Sequence, residues 1–304
     1  MLSEFSRTQN IPYPLLSDID SEVIRRYGIL NTQVQPGDAM LYGIPYPGTY
    51  VCDESGVVTG KFFHDSYKKR DSAELYIDAA LGRVQIDAAA PQEERGDADV
   101  RITAAVQGGS GSLRQGIIRQ VVLRFELSEG LHIYGAPAPE GMLPLEVTVT
   151  GPSGLVTEDP QYPESETLEL REMGVELNVW SGTFDVRVPF YAVGELASET
   201  RPLDAEDATL SVRVRYQACD DATCLLPKTE AFTLRLALDV IDVPNISLHT
   251  GHGQREAGYD GSPHLKRLLK RKLRQHPLGF LRYLWKERKL RKAAERRQRS
   301  APDR

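Results

Sequence analysis

The chain has 304 residues, of which 40% are hydrophobic and 26% charged, with three cysteines and a formal net charge of −6. That is the composition of a globular protein with room for two domains or one large one. No run approaches the roughly 18 apolar residues of a membrane-spanning helix, and three cysteines are too few for a disulfide framework. The charge is unevenly placed: residues 264–304 hold 16 Lys and Arg against 3 Asp and Glu, a balance of +13 that leaves −19 on the remainder. An acidic body with a basic tail suggests a tail that meets phosphate-rich surfaces or folds back on its own body.

The opening MLSEFSRTQN has neither the basic start nor the apolar stretch of a secretory signal. Residues 1–83 then alternate strand and helix. Ser17 to Glu22 offers N-caps for a short helix that Gly28 stops. Thr49–Asp53 and Val57–Phe63 read as hairpin partners around Glu54-Ser55-Gly56. Asp71-Ser72-Ala73-Glu74 can cap a helix running to Leu81, closed by Gly82.

This part resembles the C-terminal half of the AhpC/TSA peroxiredoxin-like (redoxin) family. The resemblance is carried by Ile11-Pro12-Tyr13-Pro14-Leu15-Leu16-Ser17-Asp18, Tyr27-Gly28, Gly43-Ile44-Pro45-Tyr46-Pro47-Gly48-Thr49-Tyr50-Val51 and Asp53-Glu54-Ser55-Gly56. It implies part of a thioredoxin fold, with Pro47 where such folds usually carry a cis-proline. The reactive cysteine of redoxins lies on a first strand–helix unit upstream of the matching residues. The resemblance therefore implies no peroxidase activity for the chain as given, and an exposed sheet edge unless a partner or a preceding segment completes the domain. Cys52, between Val51 and Asp53 on a strand, reads as a buried or half-buried structural thiol. Residues 84–99 show no periodicity and read as a linker.

From 100 to 242 the pattern is all-β. Strands are expected at 100–106, 117–127, 131–134, 144–150, 168–172, 175–180, 183–190, 208–218 and 230–241, punctuated by Gly, Pro and Asp clusters. Short strands without a long helical pattern suggest a β-sandwich, and a block of this length suffices for its own core. Tyr134 is expected to pack and His132 to lie on the surface. Trp180 and Phe184 read as core residues, with aromatic cover over the cysteines as the alternative.

Within this block, Tyr216-Gln217-Ala218-Cys219-Asp220-Asp221-Ala222-Thr223-Cys224-Leu225-Leu226-Pro227 stands at the tip of an expected hairpin. Leu210, Val212, Val214 and Tyr216 alternate into it, and Phe232, Leu234, Leu236 and Leu238 alternate out. A ring closed by so few residues contributes only about 2 kcal/mol by loop-closure entropy, against about 4.7 kcal/mol for a 100-residue loop. The pair is a poor staple but a reasonable dithiol that opens and closes. Asp220 and Asp221 would raise thiol pKa values, which favours a disulfide attacked by a more reactive partner thiol. An inert structural disulfide is the alternative reading. Zinc would need further ligands, and His249, His252 and His264 lie in a polar stretch.

The block resembles the N-terminal domain of the thiol:disulfide interchange protein DsbD. The residues that carry this are Gly130-Leu131-His132-Ile133-Tyr134, Pro144-Leu145-Glu146-Val147, Val186-Arg187-Val188-Pro189 and, above all, the cysteine stretch. The resemblance implies an immunoglobulin-like sandwich with Cys219 and Cys224 as its redox centre and a thioredoxin-like redox partner protein; no cofactor and no metal are expected. It also implies a periplasmic or other extracytoplasmic location.

Residues 243–263 are polar and read as a second linker. Leu265, Leu268, Leu269 and Leu273 recur at helical spacing among lysines and arginines. After His276-Pro277-Leu278-Gly279, Phe280, Leu281, Leu284 and Trp285 begin a second amphipathic helix. An anionic membrane surface is one partner for residues 264–304, and contact with the acidic body is another. Nucleic acid is not expected, because no recognisable nucleic-acid fold accompanies the charge. The function expected is thiol–disulfide exchange, an electron relay through Cys219 and Cys224. The alternative is a non-catalytic sandwich with a structural disulfide, tethered by its tail.

Overall fold

A computed structural model describes residues 2–35, 37, 42–64, 69–138, 141–170, 175–199, 201, 205–220, 222–240 and 262–300. The chain divides into two compact units, 1–67 and 68–304.

The first unit contains helices α1 (Leu2–Thr8) and α2 (Glu22–Arg26) and the hairpin β1 (Gly48–Cys52)–β2 (Val58–Phe63). Helix α2 stands where the cap signals put it, although its capping acceptor is Asp18, whose Oδ2 receives the Ile24 N–H at 2.9 Å. The hairpin turn is organised by Asp53, whose Oδ1 accepts the Ser55 and Val57 N–H groups at 2.9 Å each. The Tyr46–Pro47 bond is not cis, contrary to expectation; the Tyr46 N–H bonds Ile29 O at 2.7 Å and the chain runs extended into β1. Cys52 also differs from its reading. It is a free, exposed thiol at a register shift that ends the β1 ladder. Among the described residues of this unit no hydrophobic side chain is buried, and Leu16 and Ile19 are each 89% exposed.

The second unit opens with β3 (Arg70–Asp71) and α3 (Ala73–Leu81), then β4 (Gln92–Gly96), β5 (Val100–Gln107), β6 (Ser112–Leu113), β7 (Ile117–Leu127) and β8 (His132–Tyr134). It continues through β9 (Glu146–Thr150), β10 (Leu155–Thr157), β11 (Glu166–Leu170), β12 (Val175–Ser181), β13 (Thr183–Ala192) and α4 (Gly194–Ala197). Strands β14 (Asp207–Tyr216), β15 (Ala218–Cys219) and β16 (Lys228–Leu238) follow, then α5 (Ser262–Gln275) and α6 (Gly279–Ser300). One sheet runs β10-β13-β7-β5-β4 with β3 parallel to β7, a second β6-β16-β14-β9, and a third β11-β12-β8-β15.

The first two sheets share one core. Period-two alternation sends Val121, Leu123 and Phe125 of β7 inward to meet Leu210, Val212 and Val214 of β14, while Arg213 and Arg215 stay exposed. Phe125 stacks on Phe184 at 4.7 Å, and Phe184 on Trp180 at 5.7 Å. Both aromatics of the alternative reading are therefore core residues. The fold is the β-sandwich that the alternation implied, of the immunoglobulin-like kind that the resemblance implied.

Two boundaries differ from the sequence reading. Helix α3 lies in the sandwich unit, not with the segment 1–83: its buried residues are Leu75 and Asp78, and the Asp78 carboxylate accepts the buried Gln107 amide. The supposed linker 84–99 contains β4, the edge partner of β5. Its Glu-Glu-Arg composition hides it from a search for apolar alternation, and charged residues are a usual way to blunt an edge. The tail is also less uniform than expected, since α5 packs on the sandwich through fully buried Leu268 and a buried Lys272–Glu199 ion pair. The linker 243–263 falls almost wholly outside the described residues.

Candidate functional site

The cysteine stretch is more than a hairpin tip. Strands β14 and β16 pair along their length from Asp207↔Ala237 to Tyr216↔Lys228. Between them the chain crosses to the third sheet, where Ala218 pairs with Ile133 and Cys219 with His132. Residues directly opposite on antiparallel strands project to the same face. Ile133 and Ala218 thus enter the main core, while His132, Tyr134 and Cys219 share the other face.

On that outer face Cys219 is fully buried among Tyr134, Leu177 and Val179, with Ala138, Met142 and Leu168 packed at the margin. The segment after β8 supplies two of these. Gly135 donates its N–H to Asn178 O at 2.7 Å, and a side chain there would press on the Trp180 ring, 3.0 Å from an added Cβ. The segment returns as Leu145 donates to Tyr134 O at 2.8 Å. Gln217 ties it to the cysteine loop: its Oε1 accepts the Leu143 N–H at 3.1 Å and its Nε2 donates to Leu225 O at 3.0 Å.

Cys219 and Cys224 form a disulfide, five positions apart in sequence. The two ends differ in access, for Cys219 has no exposed surface and Cys224 is exposed. The intervening turn is built on Asp220. Its Oδ1 accepts the N–H groups of Thr223 at 2.6 Å and Ala222 at 2.8 Å, and its own N–H donates to Thr223 O at 2.9 Å. Those backbone bonds, then the Thr223 hydroxyl and the charge of His132, hold the Asp220 carboxyl below the usual carboxylate range. Asp221 lies outside the described residues. Leu226, two positions beyond Cys224, is 84% exposed.

His132 corrects the sequence reading. It is buried, lies across the ladder from Cys219, and its Nε2 is 3.2 Å from Tyr134 Oη. A two-residue sequence alternation, His132 and Tyr134 on one face, carried this signal, but nothing in the sequence showed that the face abuts Cys219. Burial raises the Tyr134 pKa, so its hydroxyl stays protonated and available to the imidazole. Tyr216, just before the loop, is buried with its hydroxyl unpartnered among the described residues. Of the histidines weighed as metal ligands, 249 and 252 lie outside the described residues. Among the described residues no cluster of three or more His, Cys, Asp or Glu side chains is placed to hold a metal.

Comparison with known proteins agrees with both resemblances. Residues 110–236 match the family model "Thiol:disulfide interchange protein DsbD, N-terminal", and residues 1–61 match the AhpC/TSA family. No curated protein matches the chain. Among solved structures, it is similar to the N-terminal periplasmic domain of ScsB from Proteus mirabilis, with 14% identity over 50% of this chain and 53% of that one and a TM-score of 0.33. It is also similar to the reduced DsbD N-terminal domain of Neisseria meningitidis, with 18% identity over 39% and 82% of the two chains and a TM-score of 0.25. A complex of DsbD and PilB N-terminal domains from Neisseria meningitidis gives 18% identity over 38% and 73% and a TM-score of 0.26. The chain spans about half the length of the ScsB chain.

Proposed function

We propose that the sandwich passes electrons by thiol–disulfide exchange at Cys219–Cys224. The observation that carries this is the asymmetry of the disulfide: one sulfur belongs to an exposed residue and the other to a fully buried one, within residues that match the DsbD N-terminal family. A thiolate of a partner dithiol attacks Cys224 Sγ, forming a partner–Cys224 bond as the Cys219–Cys224 bond breaks. Cys219 leaves as a thiolate beside His132 and takes up a proton. The partner's second thiolate then attacks its own sulfur in the mixed disulfide, and Cys224 is released and protonated from solvent. The partner ends as a disulfide and this chain as a dithiol, two electrons richer.

The partner is a thioredoxin-like protein, since that class presents an accessible low-pKa thiolate able to attack the disulfide. The Asp220 carboxylate disfavours a second negative charge nearby, so the pair suits being attacked rather than attacking. Exposed Leu226 offers the partner an apolar contact next to Cys224. An extracytoplasmic, periplasmic setting fits a disulfide that must persist between turnovers and the DsbD family match.

The test mixes the oxidised full chain with a reduced thioredoxin whose resolving cysteine has been replaced. A mixed disulfide at Cys224, located by peptide mass mapping, is expected, with Cys219 left as a free thiol. A mixed disulfide at Cys219, or no reaction with thioredoxin-type dithiols, would overturn the reading and leave the non-catalytic sandwich in its place.

A further inference from the structure

The two C-terminal helices carry similar sequences but have different fates. In α5 part of the apolar and basic side is already used, for Leu268 has no exposed surface and the Lys272–Glu199 pair is 2% and 1% exposed. The chain then turns at His276-Pro277, where Gly279 donates to His276 O at 2.8 Å and Gly279 itself is buried. Helix α6 therefore starts from a fixed point. At its start apolar side chains face water: Leu278 in the turn just before the helix, and Phe280, Leu281 and Trp285 within it, are 57, 53, 63 and 67% exposed.

We propose that α6 docks the protein on an anionic phospholipid surface, lying in the headgroup plane. Nine lysines and arginines stand against Glu287 and Glu295 in residues 279–300, a balance of +7 that complements anionic headgroups. The apolar residues lie in the first two turns and include Phe, Tyr and Trp, the rings that settle at the lipid–water boundary. Lys289 Nζ sits 5.4 Å from the Trp285 ring centroid, so a cation and an interfacial ring reach the surface together. The described helices contain none long and apolar enough to cross a membrane, which leaves the in-plane mode for α6. A solvated tail has no use for four large apolar side chains in open water. Phosphate-rich nucleic acid would engage the cations but leave Leu278 and Leu281 uncovered.

The full-length oxidised chain is to be titrated with phosphatidylglycerol–phosphatidylcholine vesicles and with phosphatidylcholine alone, following intrinsic fluorescence with brominated acyl chains as quenchers. The chain has two tryptophans, and Trp180 is buried in the sandwich core, so quenching reports Trp285. Binding at least about tenfold tighter to the anionic vesicles is expected, with quenching by bromines near the headgroups. The triple variant Phe280→Ser/Leu281→Ser/Trp285→Ser, read by cosedimentation, should weaken binding at least about tenfold. Equal binding to both vesicle types, no binding, or unchanged binding by the triple variant overturns the proposal. Duplex DNA that binds as tightly as the anionic vesicles, and still binds the triple variant, would assign α6 to polyanions instead. None of these readouts depends on disulfide exchange.

Discussion

Reducing the disulfide should loosen the sandwich by a small, calculable amount and leave it folded. Cys219 and Cys224 are five positions apart, and closing so short a ring removes only about 2 kcal/mol of unfolded-chain entropy. Deleting one core side chain costs more; Phe125→Ala, at a fully buried position, should lose about 3–5 kcal/mol. In a unit of this size about 2 kcal/mol corresponds to roughly 4–8 °C in Tm. The measurement is thermal unfolding of the full chain with and without dithiothreitol, in a Trp285→Phe background so that Trp180 alone reports on the core. A drop of that order with an unchanged native Trp180 spectrum is expected. Loss of the native spectrum at 25 °C, or a drop several times larger, would make the disulfide a staple. An exchange site must be stable in both redox states, so that result would remove the functional reading along with the arithmetic.

Four further outcomes follow from the same structure. In the reduced protein Cys224 should alkylate at least about tenfold faster than fully buried Cys219; equal rates by mass spectrometry would contradict the asymmetry that the exchange step needs. Lys272→Met removes the cation from the ion pair with Glu199, in a site where both partners are nearly inaccessible, and should cost about 3–5 kcal/mol in urea unfolding. Lys272→Met/Glu199→Gln should recover much of that loss, and strictly additive losses would exclude the pair. Tyr216→Phe removes a buried hydroxyl without a partner among the described residues, so stability should hold or rise slightly; a loss above about 1 kcal/mol would reveal a bond. Asp220 has a folded pKa below its unfolded value, so its support of the turn is present above the ordinary carboxylate pKa and fades as pH falls through the lowered one. The Thr223 amide resonance should shift in that acidic window, and an unmoved resonance would exclude the Asp220 acceptor.

The strands of the core were legible because burial on one face imposes a period of two. β7 was anticipated to the residue, and β14 within a residue at its start. β4 was not legible, because an edge strand stands on its neighbour's hydrogen bonds and can be built from Glu and Arg. Helix α3 was legible as a helix from its caps, but caps say nothing about which unit the buried Leu75 and Asp78 will face. His132 was misplaced for a related reason. Alternation assigns it a face, and only the pairing of β15 with β8 turns that face into the surroundings of Cys219.

The sequence by itself determined that two cysteines would close a very short ring, that acidic residues would sit in it, and that the charge would divide between body and tail. These depend on local order along the chain. The tertiary structure decided that the loop leaves its hairpin for the third sheet, burying one cysteine and leaving the other exposed. It also decided that α5 is held by Glu199 while α6 is left with bare apolar side chains. Each of these outcomes depends on a partner far away in sequence, and only the packing of the sandwich brings such partners together.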